Sequence, residues 1–313
     1  MSAEAIGLDV GGTKTAALRI TSEGEPLARS IQPTHADDPE ASMAAAERVV
    51  TDVIGPEVGA IGVGAAGLID ARTGTILTSP NFAWRKVPIG PRLAERFGLP
   101  VSVDNDATVA GWGEARLGAS RGYDQSLFVG VGTGIGGGIV IEGRIVRGAH
   151  GFAGEIGHVI VEPDGPPCGC GNRGCWEQVA SGQAIERAAA RAIADDPGST
   201  LSQLADRDPR RATGQLVVEA ARDGDDVAVG ILAEVGRRLG QGIAGFVNVL
   251  DPEIVVVGGG VAAAGEALLG PARAAYADAV EGSDVRPEVP IVAAALGSDA
   301  GAIGAGLLAI EAG

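Results

Sequence analysis

Three cysteines and one histidine lie close together in the sequence and could share a metal ion. They are His158, Cys168, Cys170 and Cys175. Three thiolates and an imidazole suit tetrahedral zinc and fill all four coordination positions, so such a metal would be structural rather than catalytic. A disulfide would leave one thiol over, and a bridge between Cys168 and Cys170 would close a strained loop. The residue types therefore favour a structural zinc site.

Three glycine turns, far apart in the sequence, could each bind phosphate. Glycine lets backbone N–H groups approach phosphate oxygens, and a threonine hydroxyl adds a donor. Asp9, at the end of the first strand pattern, could hold Mg²⁺ through water and leave the inner shell of the metal to phosphate. The alternative interpretation is that these are tight turns that bind no ligand. The presence of three such turns in one chain argues against it. The candidate phosphate-site residues are Asp9, Gly11, Gly12, Thr13, Lys14, Gly132, Thr133, Gly134, Gly258, Gly259 and Gly260.

The pattern G-x-G-x-x-G also occurs, at 62–67 and 132–137, but it does not predict a dinucleotide site. Neither match is followed by a helix pattern, whereas a dinucleotide fold needs a helix N-terminus under the pyrophosphate. The turn at 258–260 does precede a helix pattern, but the roughly 50 residues after it are too few for such a domain. The Walker sequence G-x-x-x-x-G-K-[ST] is absent. The sequence therefore argues against NAD and against a P-loop.

Alternating strand and helix patterns must position these groups. Buried strand patterns at 5–10 and 126–131 each run into a glycine turn and continue as a second strand, so the chain holds two units of the same form. Strands that alternate with helices predict an α/β protein in two lobes. We expect a small N-terminal α/β domain at 1–115, completed by the C-terminal helix at about 298–313, and a large α/β domain at 116–297 that carries the cysteines. The other patterns are strands at 15–20, 60–70, 99–107, 253–260 and 290–296, and helices at 39–54, 89–98, 107–118, 183–194, 215–250 and 300–313.

The net negative charge of the chain argues against some classes of binding partner. Its 313 residues carry 40 acids against 24 bases, a formal net charge of −16, which argues against a nucleic-acid or anionic-membrane surface. No apolar run approaches the ~20 residues of a membrane span, and the first residues lack the basic start and apolar segment of a secretion signal. We therefore expect a cytoplasmic enzyme for a small molecule, with no nucleic-acid or membrane partner.

The three glycine turns resemble those that bind nucleotide phosphates in actin, hexokinases and heat-shock ATPases. This resemblance implies a two-lobed α/β fold of the ribonuclease H-like, actin/hexokinase ATPase type, with an interlobe cleft. The segment CGCGNRGCWE at 168–177, preceded by EIGH at 155–158, resembles the signature of the ROK family of sugar kinases and repressors. The blocks DVGGTK, Asn105-Asp106, GTGIGGGIV and VVVGGG are similar to that family's other motifs, in order. The resemblance covers residues 5–310.

Within the family the segments SPNFAWR, NDATVAGWGE and CWEQVASG resemble the ATP-dependent glucokinases most. The resemblance implies transfer of the γ-phosphoryl group of ATP to the 6-hydroxyl of glucose, with ATP, Mg²⁺ and structural Zn²⁺ as cofactors. It makes Asp106 the base that takes the hydroxyl proton, although the spacing alone does not exclude Asp104. One nitrogen of His158 would bind zinc while the other bonds a sugar hydroxyl. The implied sugar ligands are Asn105, Asp106, Glu155, His158, Glu177, Gly67 and Asn81.

Other interpretations remain open. The same scaffold serves kinases of N-acetylmannosamine, N-acetylglucosamine, fructose or allose, which differ at pocket walls that the sequence does not resolve. A sugar-sensing regulator is the non-enzyme alternative, but family repressors carry an N-terminal helix-turn-helix domain, and the first strand pattern here begins at residue 5. Members of the family form dimers or tetramers, so the resemblance implies a homodimer or homotetramer.

Overall fold

The computed structural model describes residues 4–79 and 83–312, and the chain divides into two compact units. Unit 1 comprises 1–128, 137–154 and 295–313, and unit 2 comprises 129–136 and 155–294. The strands are β1 (Glu4–Val10), β2 (Lys14–Thr21), β3 (Pro26–Pro33), β4 (Val58–Ala65), β5 (Leu68–Asp70), β6 (Thr75–Thr78), β7 (Arg85–Val87), β8 (Val101–Asn105), β9 (Ser126–Val131), β10 (Ile135–Ile141), β11 (Arg144–Ile145), β12 (Ile254–Gly258) and β13 (Ile291–Ala293). The helices are α1 (Pro39–Val53), α2 (Ile89–Phe97), α3 (Asp106–Leu117), α4 (Glu177–Ala180), α5 (Gly182–Asp195), α6 (Thr200–Leu204), α7 (Gly214–Arg222), α8 (Asp226–Leu250), α9 (Glu266–Ala279) and α10 (Ala300–Ala312).

The main sheet of unit 1 has the strand order β3-β2-β1-β4-β8. β1 pairs antiparallel with β2 and parallel with β4, which in turn pairs parallel with β8. The register sets Asp9 opposite Gly64 and Gly64 opposite Asp104. The carboxyl ends of β1, β4 and β8 therefore meet at one edge of the sheet, where open α/β sheets bind their ligands.

Helices cover this sheet, and the start and the apolar face of α1 both follow from its sequence. α1 begins at Pro39, and the side chain of Asp38 accepts the N–H groups of Glu40 and Ala41 as its cap. Its apolar face joins the core cluster under the sheet through Met43, Ala46, Val49, Val50 and Val53. α10 packs against β1, β4 and α3.

The contact of α10 with the sheet is made backbone to backbone. A β-carbon at Gly7 would overlap the carbonyl oxygen of Ala302, and one at Gly62 would overlap that of Ala305. Only glycine permits this approach. The close packing explains how a chain with 51 glycines and only 3% aromatic residues can build a dense core.

The second main sheet has the order β11-β10-β9-β12-β13, and a smaller sheet of unit 1 has the order β5-β6-β7. The two G-x-G-x-x-G segments lead into β5 and β10, as predicted, and not into helices. In unit 2 the long helix α8 packs against α9 and α5. Within 4–79 and 83–312, no helix combines the length and apolarity needed to cross a bilayer.

Candidate active site and metal centre

Two acids of unit 1 influence each other at the carboxyl edge of its main sheet. Asp9 lies at the end of β1, and Asp106 is the first residue of α3. Burial raises the pKa of Asp9 to about 7; the charge of Asp106 adds to the shift, and that of Lys14 opposes it. Burial also raises the pKa of Asp106. Carboxylate oxygens are ligands that Mg²⁺ prefers, so the donor types at this edge of the sheet are compatible with that ion.

The β1–β2 turn beside Asp9 is closed by its own backbone. The N–H of Gly11 donates to the carbonyl of Lys14 at 3.0 Å, and the N–H of Thr34 donates to the carbonyl of Thr13 at 3.0 Å. The side chains of Thr13 and Lys14 are exposed. The turn is therefore rigid in its main chain while it presents a hydroxyl and an ammonium group to solvent.

The junction of β8 and α3 holds the amide–acid pair predicted from the sequence. Asn105 caps α3, because its Oδ1 accepts the N–H groups of Ala107 at 2.9 Å and Thr108 at 3.1 Å. Its Nδ2 donates to the carbonyl of Gly67 at 3.3 Å. One oxygen of Asp106 accepts the Ala107 N–H at 2.9 Å. The junction thus brings Asn105, Asp106 and Gly67 together.

Asp104, the competing acid, is occupied by other contacts. Its side chain is buried, and its Oδ2 accepts the Nε–H of Arg147 at 2.6 Å. Its Oδ1 accepts the N–H of Asn105 at 2.9 Å. Both carboxylate oxygens of Asp104 are therefore already engaged in hydrogen bonds. No sequence pattern predicts a role for Arg147, because a single arginine in an irregular segment belongs to no motif.

Two further sugar-site candidates have different outcomes. Gly67 has a φ of 121°, and a β-carbon there would overlap the carbonyl oxygen of Thr78. Its conformation therefore requires glycine. Asn81 lies outside the described residues.

Unit 2 brings two of the three glycine turns together. The turn between β9 and β10 is closed by the Gly132 N–H, which donates to the carbonyl of Gly134 at 3.0 Å. Gly259 follows β12 with a φ of 85°, and a β-carbon there would overlap the main chain of Val131. The N–H of Gly182, at the start of α5, donates to the Gly132 carbonyl at 2.8 Å. The turns at 132–134 and 258–260 thus form neighbouring segments of one glycine-rich surface.

The cysteine and histidine side chains of unit 2 converge. One ligand atom from each of His158, Cys168, Cys170 and Cys175 lies within 4.8 Å of the others. The Sγ atoms of Cys170 and Cys175 are 3.6 Å apart, and Cys168 Sγ is 3.6 Å from His158 Nδ1. Tetrahedral zinc with Zn–S bonds of about 2.3 Å separates two sulfurs by roughly 3.8 Å, so the spacing of Cys170 and Cys175 matches that of two zinc ligands. All three cysteines are free of disulfides.

Two glutamates flank this group. Glu155 Oε2 is 3.7 Å from His158 Nε2, and Glu177 Oε1 is 3.7 Å from His158 Nδ1. The thiol of Cys168 donates to Glu177 Oε1 at 3.1 Å. Burial raises the pKa of this thiol to about 12, so zinc would have to displace its proton. The metal group and both predicted sugar-binding glutamates therefore form one cluster.

Known proteins are similar to this chain along almost its whole length. A glucokinase of Streptomyces coelicolor is 40% identical over 98% of this chain and 97% of its own length. A glucokinase of Thermotoga maritima is 38% identical over 96% of this chain and 95% of its own. The crystal structure of a ROK family glucokinase from Streptomyces griseus, in complex with glucose and AMPPNP, is 41% identical, and the match covers 98% of this chain and 99% of that one with a TM-score of 0.92.

These likenesses define the fold as the α/β fold of sugar kinases, which confirms the fold class predicted from the sequence. The ROK family matches residues 5–312, and the chain belongs to this family. The resemblance seen in the cysteine segment is therefore confirmed.

Proposed function

We propose that this protein is an ATP-dependent glucokinase, which converts glucose and ATP to glucose 6-phosphate and ADP. The observation that carries the proposal is the likeness to the Streptomyces griseus glucokinase, which binds glucose and AMPPNP and matches almost the whole chain. The near full-length identity to two further glucokinases supports the same activity.

Asp106 acts as the general base. Its carboxylate accepts the proton of the glucose 6-hydroxyl while the hydroxyl oxygen bonds to the γ-phosphorus and the bond to the β–γ bridging oxygen of ATP breaks. Burial, which raises the pKa of Asp106, makes the carboxylate a stronger base than an exposed aspartate. Asn105 and Gly67, hydrogen-bonded to each other, contribute ligands for the sugar hydroxyls. Asn81 stays a candidate from the sequence alone.

The phosphate chain is held by the three glycine turns. The N–H groups of Gly11 and Gly132 close their own turns, so the phosphate oxygens are bound by the other backbone N–H groups at 12–13, 133–134 and 258–260. Thr13 and Thr133 add hydroxyl donors, and Lys14 adds positive charge. Asp9 would hold Mg²⁺, which would supply positive charge to the phosphates of ATP. The pairing of Asp9 with Asp106 supports this placement, because the acids repel each other until a cation arrives.

His158, Cys168, Cys170 and Cys175 hold a structural zinc ion. Four protein ligands leave no position for water, so the ion stabilises the loop and takes no part in the transfer. The zinc loop orders Glu155, His158 and Glu177 as sugar ligands. Their proximity in the free protein supports this assignment. A cytoplasmic location agrees with thiolate ligands, which need a reducing compartment. We also infer a homodimer or homotetramer, from the family resemblance alone.

A coupled assay of ATP consumption tests the function. The panel is glucose, N-acetylmannosamine, N-acetylglucosamine, fructose and allose, each with Mg²⁺-ATP. We expect the highest kcat/KM with glucose. A higher value with another hexose would reassign the substrate, and no ATP consumption with any sugar would favour a sugar-binding regulator.

A further inference from the structure

The ion pair between Arg147 and Asp104 connects an irregular segment of unit 1 to the junction that carries the proposed base. Asp104 is 4% exposed, and its distance of 2.6 Å to Arg147 Nε is that of a short, charge-assisted hydrogen bond. A buried carboxylate needs such a partner, since an unpaired charge in the interior is strongly destabilising. No feature of the sequence assigned a role to this pair.

The second oxygen of Asp104 carries the contact onward. It accepts the backbone N–H of Asn105 at 2.9 Å, so the side chain fixes the orientation of the peptide between the two residues. Asn105 then caps α3 and binds the carbonyl of Gly67. Rotation of this peptide would move Asn105 and, with it, the first turn of α3, where Asp106 lies. A continuous series of hydrogen bonds thus runs from Arg147 to the start of α3.

Arg147 has a main chain that is held on both sides. The N–H of Val146 donates to the carbonyl of Ile139 at 2.9 Å, and the N–H of Ala153 donates to the carbonyl of Arg147 at 3.1 Å. The guanidinium group therefore extends from a fixed base. It uses one N–H, at Nε, toward Asp104, so a lysine could replace both the charge and the single donor.

We propose that Arg147 and Asp104 are positioning residues for phosphoryl transfer: the pair fixes the Asp104–Asn105 peptide and so sets the amide of Asn105 and the carboxylate of Asp106 in their reactive places. The proposal rests on the proposed function, because it takes Asp106 as the base. A pair that only satisfies a buried charge would affect stability and leave the turnover of folded protein unchanged.

Arg147→Met, Arg147→Lys and the control Arg144→Met test the proposal in the full-length protein. Arg144 is exposed and lies three residues away, so its variant controls for the loss of one positive charge. We expect Arg147→Met to lower kcat about tenfold to a hundredfold, since small misplacements of a reacting group cost this much. KM for ATP should stay within about twofold, Arg147→Lys should recover most of the loss, and Arg144→Met should match wild type. A kcat of folded Arg147→Met within twofold of wild type would overturn the proposal.

A double variant separates positioning from stability. Arg147→Met leaves the Asp104 charge unpaired, whereas Asp104→Asn/Arg147→Met removes the charge as well and should regain much of the lost Tm. The kcat of the double variant should nevertheless stay low, because nothing then fixes the side chain at 104. Wild-type kcat in the double variant would sink the idea, even if Arg147→Met alone proved too unstable to assay.

Hydrogen exchange gives a readout that does not depend on activity. In Arg147→Met, peptides that cover 101–110 should exchange faster than in Arg144→Met under the same conditions, because the cap of α3 loosens. Unchanged exchange there would contradict the positioning role. If wild type failed to phosphorylate glucose, the proposed function would fail, and this exchange measurement would still decide whether the ion pair holds the junction.

Discussion

The carboxylate of Glu177 occupies the space that a β-carbon at position 134 would need, so glycine fits there without displacing Glu177. A β-carbon at Gly134 would overlap Glu177 Oε2, while the other oxygen of the same carboxylate bonds Cys168. One glutamate therefore contacts both the metal loop and the glycine turn that we assign to ATP. The atom in the way is the end of a flexible side chain, so the turn can accept a methyl group if Glu177 moves.

Gly134→Ala should therefore change function more than stability. We expect Tm within about 2 °C of wild type and a KM for glucose raised severalfold, because the displaced Glu177 no longer meets the sugar. Gly230→Ala is the control, since this position is exposed and a β-carbon there has open space around it. Gly134→Val should also raise KM for ATP by crowding the phosphate turn. An unchanged KM for glucose in Gly134→Ala would remove Glu177 from the sugar site.

Asp106→Asn should retain glucose binding and lose at least about three orders of magnitude in kcat, the upper part of general-base effects. The amide keeps the shape of the side chain and cannot accept the proton. Asp37→Asn, at an exposed position, controls for the loss of a carboxylate. A variant that kept a tenth of wild-type kcat would show that Asp106 is not the base, and Asp104 would be tested next.

The pKa of Asp9 predicts an effect of pH on stability in the absence of divalent cations. Its folded-state value of about 7 lies above the ordinary 3.8, so the folded protein binds the proton more tightly. The stability that this protonation supplies is complete below about pH 4 and is lost as the pH rises through about 7. In EDTA, Asp9→Asn should thus gain a few degrees in Tm over wild type at pH 8, and the gain should shrink at pH 5.

The same variant should lose turnover with Mg²⁺-ATP. Added Mg²⁺ should raise the Tm of wild type at pH 8 more than that of Asp9→Asn. Equal Tm values for the two proteins at both pH values would contradict the assigned shift.

Cys170→Ser should lose the zinc ion and lower Tm, because one of four metal ligands is gone. KM for glucose should rise more than KM for ATP, since Glu155 and Glu177 both adjoin the metal group. Gly169→Ala, in the same loop and with open space for its methyl group, should keep one zinc per chain by elemental analysis. Full activity of wild type without metal would refute the zinc assignment.

The buried hydrogen bonds of Glu114 predict that its substitution will lower stability strongly. Its side chain has no exposed surface, and it accepts the N–H groups of Ala119 at 2.7 Å, Ala295 at 3.0 Å and Leu296 at 2.8 Å. Glu114→Gln replaces one acceptor oxygen by a donor, so at least one buried N–H loses its partner, at a cost of about 2–4 kcal/mol. Glu95→Gln, on the exposed face of α2, should leave the free energy of unfolding unchanged. Similar denaturation midpoints for both variants would contradict the role of Glu114.

The buried elements could be predicted from the sequence, because burial leaves a pattern. The strand expected at 126–131 is β9, and the helix expected at 39–54 is α1, one residue shorter. β3 was missed, because a half-exposed strand with proline at both ends resembles a loop. The helical pattern expected at 215–250 is two helices: Gly224, with a φ of 84°, follows the end of α7, and Asp225 caps α8. The apolar residues of 215–250 continue at helical spacing across this break, so the sequence pattern did not reveal it.

The local parts of the site could also be predicted, whereas contacts between distant segments could not. The spacing of the cysteines and the acid–amide pair lie within short motifs. The contacts of Arg147 with Asp104 and of Glu177 with Gly134 join positions about 43 residues apart, and no periodicity specifies such a pairing. They arise from the fold as a whole.

The packing of α10 between β1, β4 and α3 has a consequence for folding of the chain during its synthesis. α10 is synthesised after every other element of unit 1, and at about 5–20 residues per second the chain needs tens of seconds to reach it from β4. Throughout that time the part of the sheet around Gly7 and Gly62 lacks α10, the helix whose backbone packs against it. The main sheet of unit 1 therefore stays without this part of its final cover for most of the synthesis of the chain.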